Sequence, residues 1–122
     1  LCPLGAVSFQ RLFNTAIANI LSGILKKGII VDGDDLLVQD EFVGIDDKIR
    51  KSGKVSVSIT YSKDNVAIGH TGINIVAGDK APPFAYSSNL SDKQADAFVK
   101  SIIDYFNSEM LDQFIATTKI IV

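Results

Sequence analysis

The sequence is poor in the residues on which most protein chemistries are built: it has one cysteine, one histidine, one methionine, three prolines and no tryptophan. Each scarcity removes a class of function. A single cysteine, Cys2, excludes an intramolecular disulfide. It sits in a Leu-Cys-Pro lead and reads as an inert thiol, an intermolecular bridge being the alternative; acyl-cysteine anchoring would need Cys at the mature terminus, and Leu1 precedes it here, so no such anchor is expected. One histidine and one distant cysteine make a poor zinc set, so no metal site is expected. No run of about 18 apolar residues occurs, which excludes a spanning helix in this portion of the chain. A net charge of −2 and a pI near 5.2 leave no basic stripe, so no nucleic-acid partner is expected. The chain does not begin with Met and reads as a processed or trimmed form; its compartment stays open.

The familiar site motifs are missing too. Half of the acidic residues fall between Asp32 and Asp47, but a calcium loop counted from Asp32 places Leu36 at position five, Leu37 at six and Val43 at twelve, where an oxygen ligand, glycine and glutamate are needed. The acidic stretch therefore reads as solvated. Neither Ser52-Gly53-Lys54 nor Gly69-His70-Thr71-Gly72 completes a phosphate loop, and no cofactor motif appears. His70, the only candidate for a neutral-pH general base, has no Gly-x-Ser-x-Gly elbow to serve. An enzyme using His70 is the least favoured reading. Asn89-Leu90-Ser91 fits a glycosylation acceptor, although Ser91 already has a capping role.

What is present is the composition of a folded chain: 47% hydrophobic and 21% charged residues, enough for a single domain over residues 1–122 without metals or disulfides. Residues 1–6 read as an irregular lead. Phe9, Leu12, Phe13, Ala16, Ile17, Ile20, Leu21, Ile24 and Leu25 recur at three- and four-residue spacings and predict an amphipathic helix over 8–27. Ser8 would cap it, Gln10, Arg11, Asn14, Thr15, Asn19 and Ser22 would form its polar side, and Gly28 would stop it. Asp32-Gly33-Asp34-Asp35 between two apolar runs predicts a hairpin. Residues 39–53 read as an exposed charged connection. Lys48, Arg50, Lys51 and Lys54 follow the acidic stretch, a polarity suited to pairing between copies.

The surest element runs from Lys54 to Tyr61. Val55, Val57, Ile59 and Tyr61 alternate with Ser56, Ser58 and Thr60, as in a half-buried strand with its hydroxyl face outward. The turn-forming group 62–65 joins it to a strand over 66–77 with apolar residues on both faces, and Gly69 and Gly72 mark a bulge or a close approach. A proline-containing loop over 78–90 precedes a helix over 91–112 that opens with a capping box, Ser91 to Gln94. Residues 114–122, rich in β-branched side chains, read as a possible extended end.

The expected fold is α+β: a two-layer domain with an antiparallel sheet of about four strands and the N- and C-terminal helices packed on one face. The leading functional expectation is a non-enzymatic interaction or self-assembly module, a homo-oligomer or a binder of a protein partner, working through a sheet edge or the second face of the later strand. Its contact residues would be Val66, Ile68, His70, Ile73, Ile75 and Val76, with Phe84 and Tyr86 from the proline loop. The alternative is a carrier of a small apolar ligand held between helices and sheet, lined by Phe9, Phe13, Tyr61, Phe98 and Phe106.

Overall fold

Proline at the third position opens the first helix rather than preceding it. The computed structural model describes residues 3–119, and helix α1 spans Pro3–Leu25. Proline suits a first helical turn because its missing N–H has no partner there in any case. Ser8 thus lies inside the helix, not at its cap, and residues 3–6 belong to the helix rather than to a lead. The helix ends two residues earlier than expected. Lys26, at φ 55, takes the left-handed stop that Gly28 was expected to supply, and the Ser22 hydroxyl donates to Lys27 O at 2.6 Å.

Gly28 instead begins β1 (Gly28–Asp32), which pairs antiparallel with β2 (Asp35–Gln39). Gly33, the first residue of the two-residue turn between them, has φ 59, a conformation that favours glycine. Ile29 and Val31 face Val38 and Leu36 on the inner side of this pair. The connection that follows carries two short strands, β3 (Phe42–Val43) and β4 (Ile49–Arg50), closed by a forked ion pair in which Arg50 donates to both Asp46 oxygens at 2.8 and 2.9 Å. The Arg50 fork holds the Asp46 carboxyl well below the usual carboxylate range.

Strand β5 (Gly53–Lys54) adds to β2, and the proline loop pairs along its other side: Lys54 N–H donates to Phe84 O and Tyr86 N–H to Lys54 O. The long hairpin is β6 (Ser56–Lys63) with β7 (Val66–Ile73), in full antiparallel register from Ser56–Ile73 to Lys63–Val66. Its turn residues Asp64 and Asn65 both have positive φ, 52 and 63, the pattern of a type I′ turn. Among the described residues, four longer strands and three two-residue strands therefore form three small antiparallel sheets, in a mixed α+β fold with a helix before and a helix after them.

Helix α2 (Asp92–Thr117) begins with the expected capping box, Gln94 N to Ser91 Oγ at 3.1 Å and Ser91 N to Gln94 Oε1 at 2.9 Å. It runs five residues past the expected end, so 114–117 are helical and not extended. Once a helix is nucleated, each added residue gains a hydrogen bond, and this outweighs the weak helix preference of Ile115 and Thr117. Thr118 caps it, its hydroxyl donating to Ile115 O. The rest of the expected extended end, 120–122, lies outside the described residues.

The core gathers Ile17, Ala18 and Leu21 of α1, Leu36 and Val38 of β2, Val55, Tyr86, Leu90 and Phe98 of α2. Leu21, Leu36, Val38 and Val55 are fully buried, each worth roughly 1.5–3 kcal/mol in gross transfer free energy. α1 packs on β1, β6 and β7, and α2 packs on α1. No helix among the described residues is long and apolar enough to cross a membrane.

Candidate functional site

The alternation of β6 is real, but its two faces are the reverse of those expected. Val55 is 0% exposed, and so is its neighbour Ser56 to within 1%, whereas Val57, Ile59 and Tyr61 are all more than half exposed. The cause is a break at Val55, which belongs to neither β5 nor β6. A one-residue interruption sends every later side chain to the opposite face. Val55 stays in the core and bonds Leu36 O and Asn74 N through its backbone, while the Ser56 hydroxyl turns inward to accept Leu36 N–H at 3.1 Å. From Ser56 onward, hydroxyls face the helices and apolar side chains face solvent.

Helix α1 is matched to this inverted strand. Gln10 and Asn14, expected on its polar outer side, are buried, 7% and 0% exposed. Gln10 Nε2 donates to Ser58 Oγ at 2.8 Å, and the Ser58 and Thr71 hydroxyls lie 3.1 Å apart across the hairpin. Asn14 Nδ2 reaches Asp34 O at 3.4 Å. One helix amide thus bonds a sheet hydroxyl and the other a turn carbonyl where apolar packing was anticipated, and Asn14 Oδ1 is buried without a partner among the described residues.

Between these layers a cleft of about 560 Å³ opens. One wall is aromatic: Phe106 of α2 stands edge-on to Phe9 at 5.6 Å and to Phe13 at 6.0 Å, with Ala6 and Met110 beside them. The opposite wall is the inner face of the hairpin, made of Thr60, Ala67, Gly69 and Thr71, and Gln10 and Gln113 complete the lining. Ala67 and Gly69 put almost no side chain on this wall. A Cβ built on Gly69 would meet only Thr60 Oγ1, at 3.4 Å. Every lining residue is uncharged.

A smaller hollow of about 290 Å³ lies beside the proline loop, lined in part by Asp40, Phe42, Gly44, Pro83 and Tyr86. Tyr86 folds back into the core, edge-on to Phe42 at 5.4 Å, and its hydroxyl donates to Asp40 Oδ2 at 2.6 Å. Burial and the Asp40 carboxylate push the Tyr86 phenol up to about 12; the Tyr86 hydrogen bond, with Lys27 3.3 Å away, lowers the Asp40 carboxyl.

Of the expected carrier residues, Phe9, Phe13 and Phe106 come together in the large cleft. Tyr61 does not, because the inversion places it on the outer face, and Phe98 is spent in the main core. Of the expected contact residues, Val66, Ile68 and His70 share the outer hairpin face with Val57, Ile59 and Tyr61. Ile73 packs against the core, Ile75 and Val76 lie exposed beyond β7, and Phe84 is exposed in the loop. His70 stands exposed opposite Ile59, and its ring makes no hydrogen bond among the described residues. The acidic stretch is dispersed into ion pairs, Arg11–Asp34, Lys54–Asp35, Lys27–Asp40 and Arg50–Asp46, and no cluster among the described residues is arranged to hold a metal. Part of the acidic-to-basic polarity is thereby neutralised within the chain.

The hairpin wall of the cleft escaped the sequence reading. Gly69 and Gly72, expected to mark a bulge or a close approach, mark neither: the register is unbroken, and a Cβ would meet only Thr60 Oγ1 at 3.4 Å on Gly69 and nothing within 4 Å on Gly72. Gly69 instead lines the cleft, with Ala67 and Thr71 on its side of the strand. Comparisons with protein-family models, with curated proteins and with solved structures found no significant match. What the chain does has to be read from its own side chains.

Proposed function

We propose that the protein binds and carries a small, predominantly apolar ligand in the cleft between α1, α2 and the inner face of the β6–β7 hairpin. The observation that supports this reading is the cleft itself: about 560 Å³, walled by three phenyl rings on one side and by threonines and small residues on the other. Ligand sites commonly fall between about 300 and 1,000 Å³ and pair an apolar lining with a few placed polar groups. A chain that used this region only as core would be expected to fill it, because close packing is worth several kcal/mol. Gly69→Leu is the direct test. Its Cβ has room, the glycine is not in the left-handed region, and a strand interior gains about 0.5–1 kcal/mol when glycine is replaced. The variant should keep or raise its melting temperature while losing at least tenfold in affinity for the neutral dye Nile red; an unchanged affinity removes the reading.

A separate observation favours a second reading, assembly through the outer hairpin face. Val57, Ile59, Tyr61, Val66 and Ile68 are 40–57% exposed on one surface of a two-stranded sheet, and contiguous exposed apolar side chains commonly mark contact sites. A second copy would cover them. Light scattering over a wide concentration range should then give a multiple of 13.1 kDa, abolished by Ile59→Lys. A monomer at every concentration rules this reading out.

A further inference from the structure

The chemistry of the cleft lining narrows the class of ligand, an inference that rests on the carrier reading above. We infer that the cleft takes an uncharged amphiphile: an apolar chain laid against Phe9, Phe13, Phe106 and Met110, with a hydroxyl-type head hydrogen-bonded to the threonines of the hairpin.

At roughly 30 Å³ per non-hydrogen atom, the share of a water in the liquid, the volume holds on the order of fifteen to twenty atoms. The hydroxyls of the lining, Thr60 and Thr71, are both on the hairpin wall, and the two amides, Gln10 and Gln113, come from the helices. Gln10 Nε2 donates to Ser58 Oγ, and Ser58 and Thr71 share a hydrogen bond, so a buried amide anchors the hydroxyl pair at one end of that wall. On the neighbouring rung Thr60 lies opposite Gly69, and its hydroxyl has no partner among the described residues. Thr60 therefore presents to the cleft both a donor and an acceptor. A hydroxyl head is matched to this, since it donates and accepts in turn.

A carboxylate head is not matched. It offers only acceptors, and losing water without a cation or several donors is heavily unfavourable. A charge bonded to the lining has the wrong sign: Glu109, which lines a small hollow with Phe106 and Met110, accepts from the lining residue Gln113 at 3.2 Å. An ionised acid would lie near this carboxylate and find no cation in the lining, only hydroxyls and amides whose Nε2 groups already donate to Ser58 and Glu109.

The test is competition against Nile red by 1-decanol and by sodium decanoate at pH 8, where the acid is ionised, on the unaltered protein and on Thr60→Val. The two competitors share a chain length and differ in the head. The inference requires decanol to bind at least tenfold more tightly than decanoate, and Thr60→Val to cut that ratio to threefold or less, each competitor's affinity being referred to the Nile red affinity measured for the same variant. Equal or tighter binding of decanoate overturns the inference and leaves the carrier reading intact. A ratio unaffected by Thr60→Val overturns the assignment of the head to the hairpin wall. Failure of Nile red and both competitors to bind the unaltered protein removes the carrier reading and the inference together.

Discussion

Replacing Ser56 by alanine probes the point at which the hairpin turns over. Ser56 is 1% exposed, and its Oγ is the acceptor for Leu36 N–H at 3.1 Å, a role that a strand carbonyl would fill in a continuous sheet. Alanine keeps the backbone and most of the volume but leaves that N–H in a dry core, beside a leucine that is 0% exposed. An unsatisfied buried donor costs about 1–3 kcal/mol, and the loss of a single oxygen is too small to admit a water. For a chain of this length the expected loss, near 2 kcal/mol, lowers the melting temperature by roughly 6–10 °C. Urea unfolding should show a lower midpoint at unchanged slope, and the Leu36 amide should exchange faster with solvent. Ser56→Thr, which retains the oxygen, should lose less. A Ser56→Ala variant within 0.3 kcal/mol of the parent, with Leu36 still protected, would refute the claim that this hydroxyl holds β6 against β2.

Two further predictions follow from the proline-loop side. The Tyr86 phenol, pushed up to about 12 when folded, has an ordinary value near 10 in the unfolded chain. Its contribution to stability is therefore complete below pH 10 and is lost between pH 10 and 12, by about 2 kcal/mol; Tyr86→Phe should flatten the pH–stability curve across that window, and a curve of unchanged steepness would contradict the assignment. Gly53→Ala should destabilise by about 1–3 kcal/mol in chemical denaturation, because its Cβ would lie 2.5 Å from Phe42 Cε1 and 2.9 Å from Tyr86 Cβ, whereas Gly72→Ala, with nothing within 4 Å, should be nearly neutral.

Local chemistry was legible in the sequence wherever a few adjacent residues decide the outcome. The Asp-Gly turn, the Asp64-Asn65 turn and the Ser91–Gln94 capping box each depend on short-range hydrogen bonds or φ preferences, and all three appear. Sidedness was not legible. The alternation from Val55 to Tyr61 says which residues share a face only while the strand is unbroken, and the break at Val55 is imposed by contacts with Leu36 and Asn74, far away in the chain. The same distance effect hid the burial of Gln10 and Asn14, whose partners Ser58 and Asp34 come from other elements. Helix ends were misplaced where propensity competed with propagation, at Ser8 and beyond Leu111. Of the cleft, the aromatic wall was visible because Phe9, Phe13 and Phe106 obey helical spacing; the hairpin wall was hidden because its hydroxyls looked like a solvated face.

The central claim is that the cleft, and not the outer hairpin face, is where this protein meets its ligand. The most direct measurement is a map of NMR chemical-shift changes as 1-decanol is titrated into the isotopically labelled protein. The account predicts saturable shifts concentrated on the rings of Phe9, Phe13 and Phe106, the Met110 methyl and the amides of Gly69 and Thr71. Shifts confined to Val57, Ile59, Tyr61, Val66 and Ile68, or none that saturate, would contradict it.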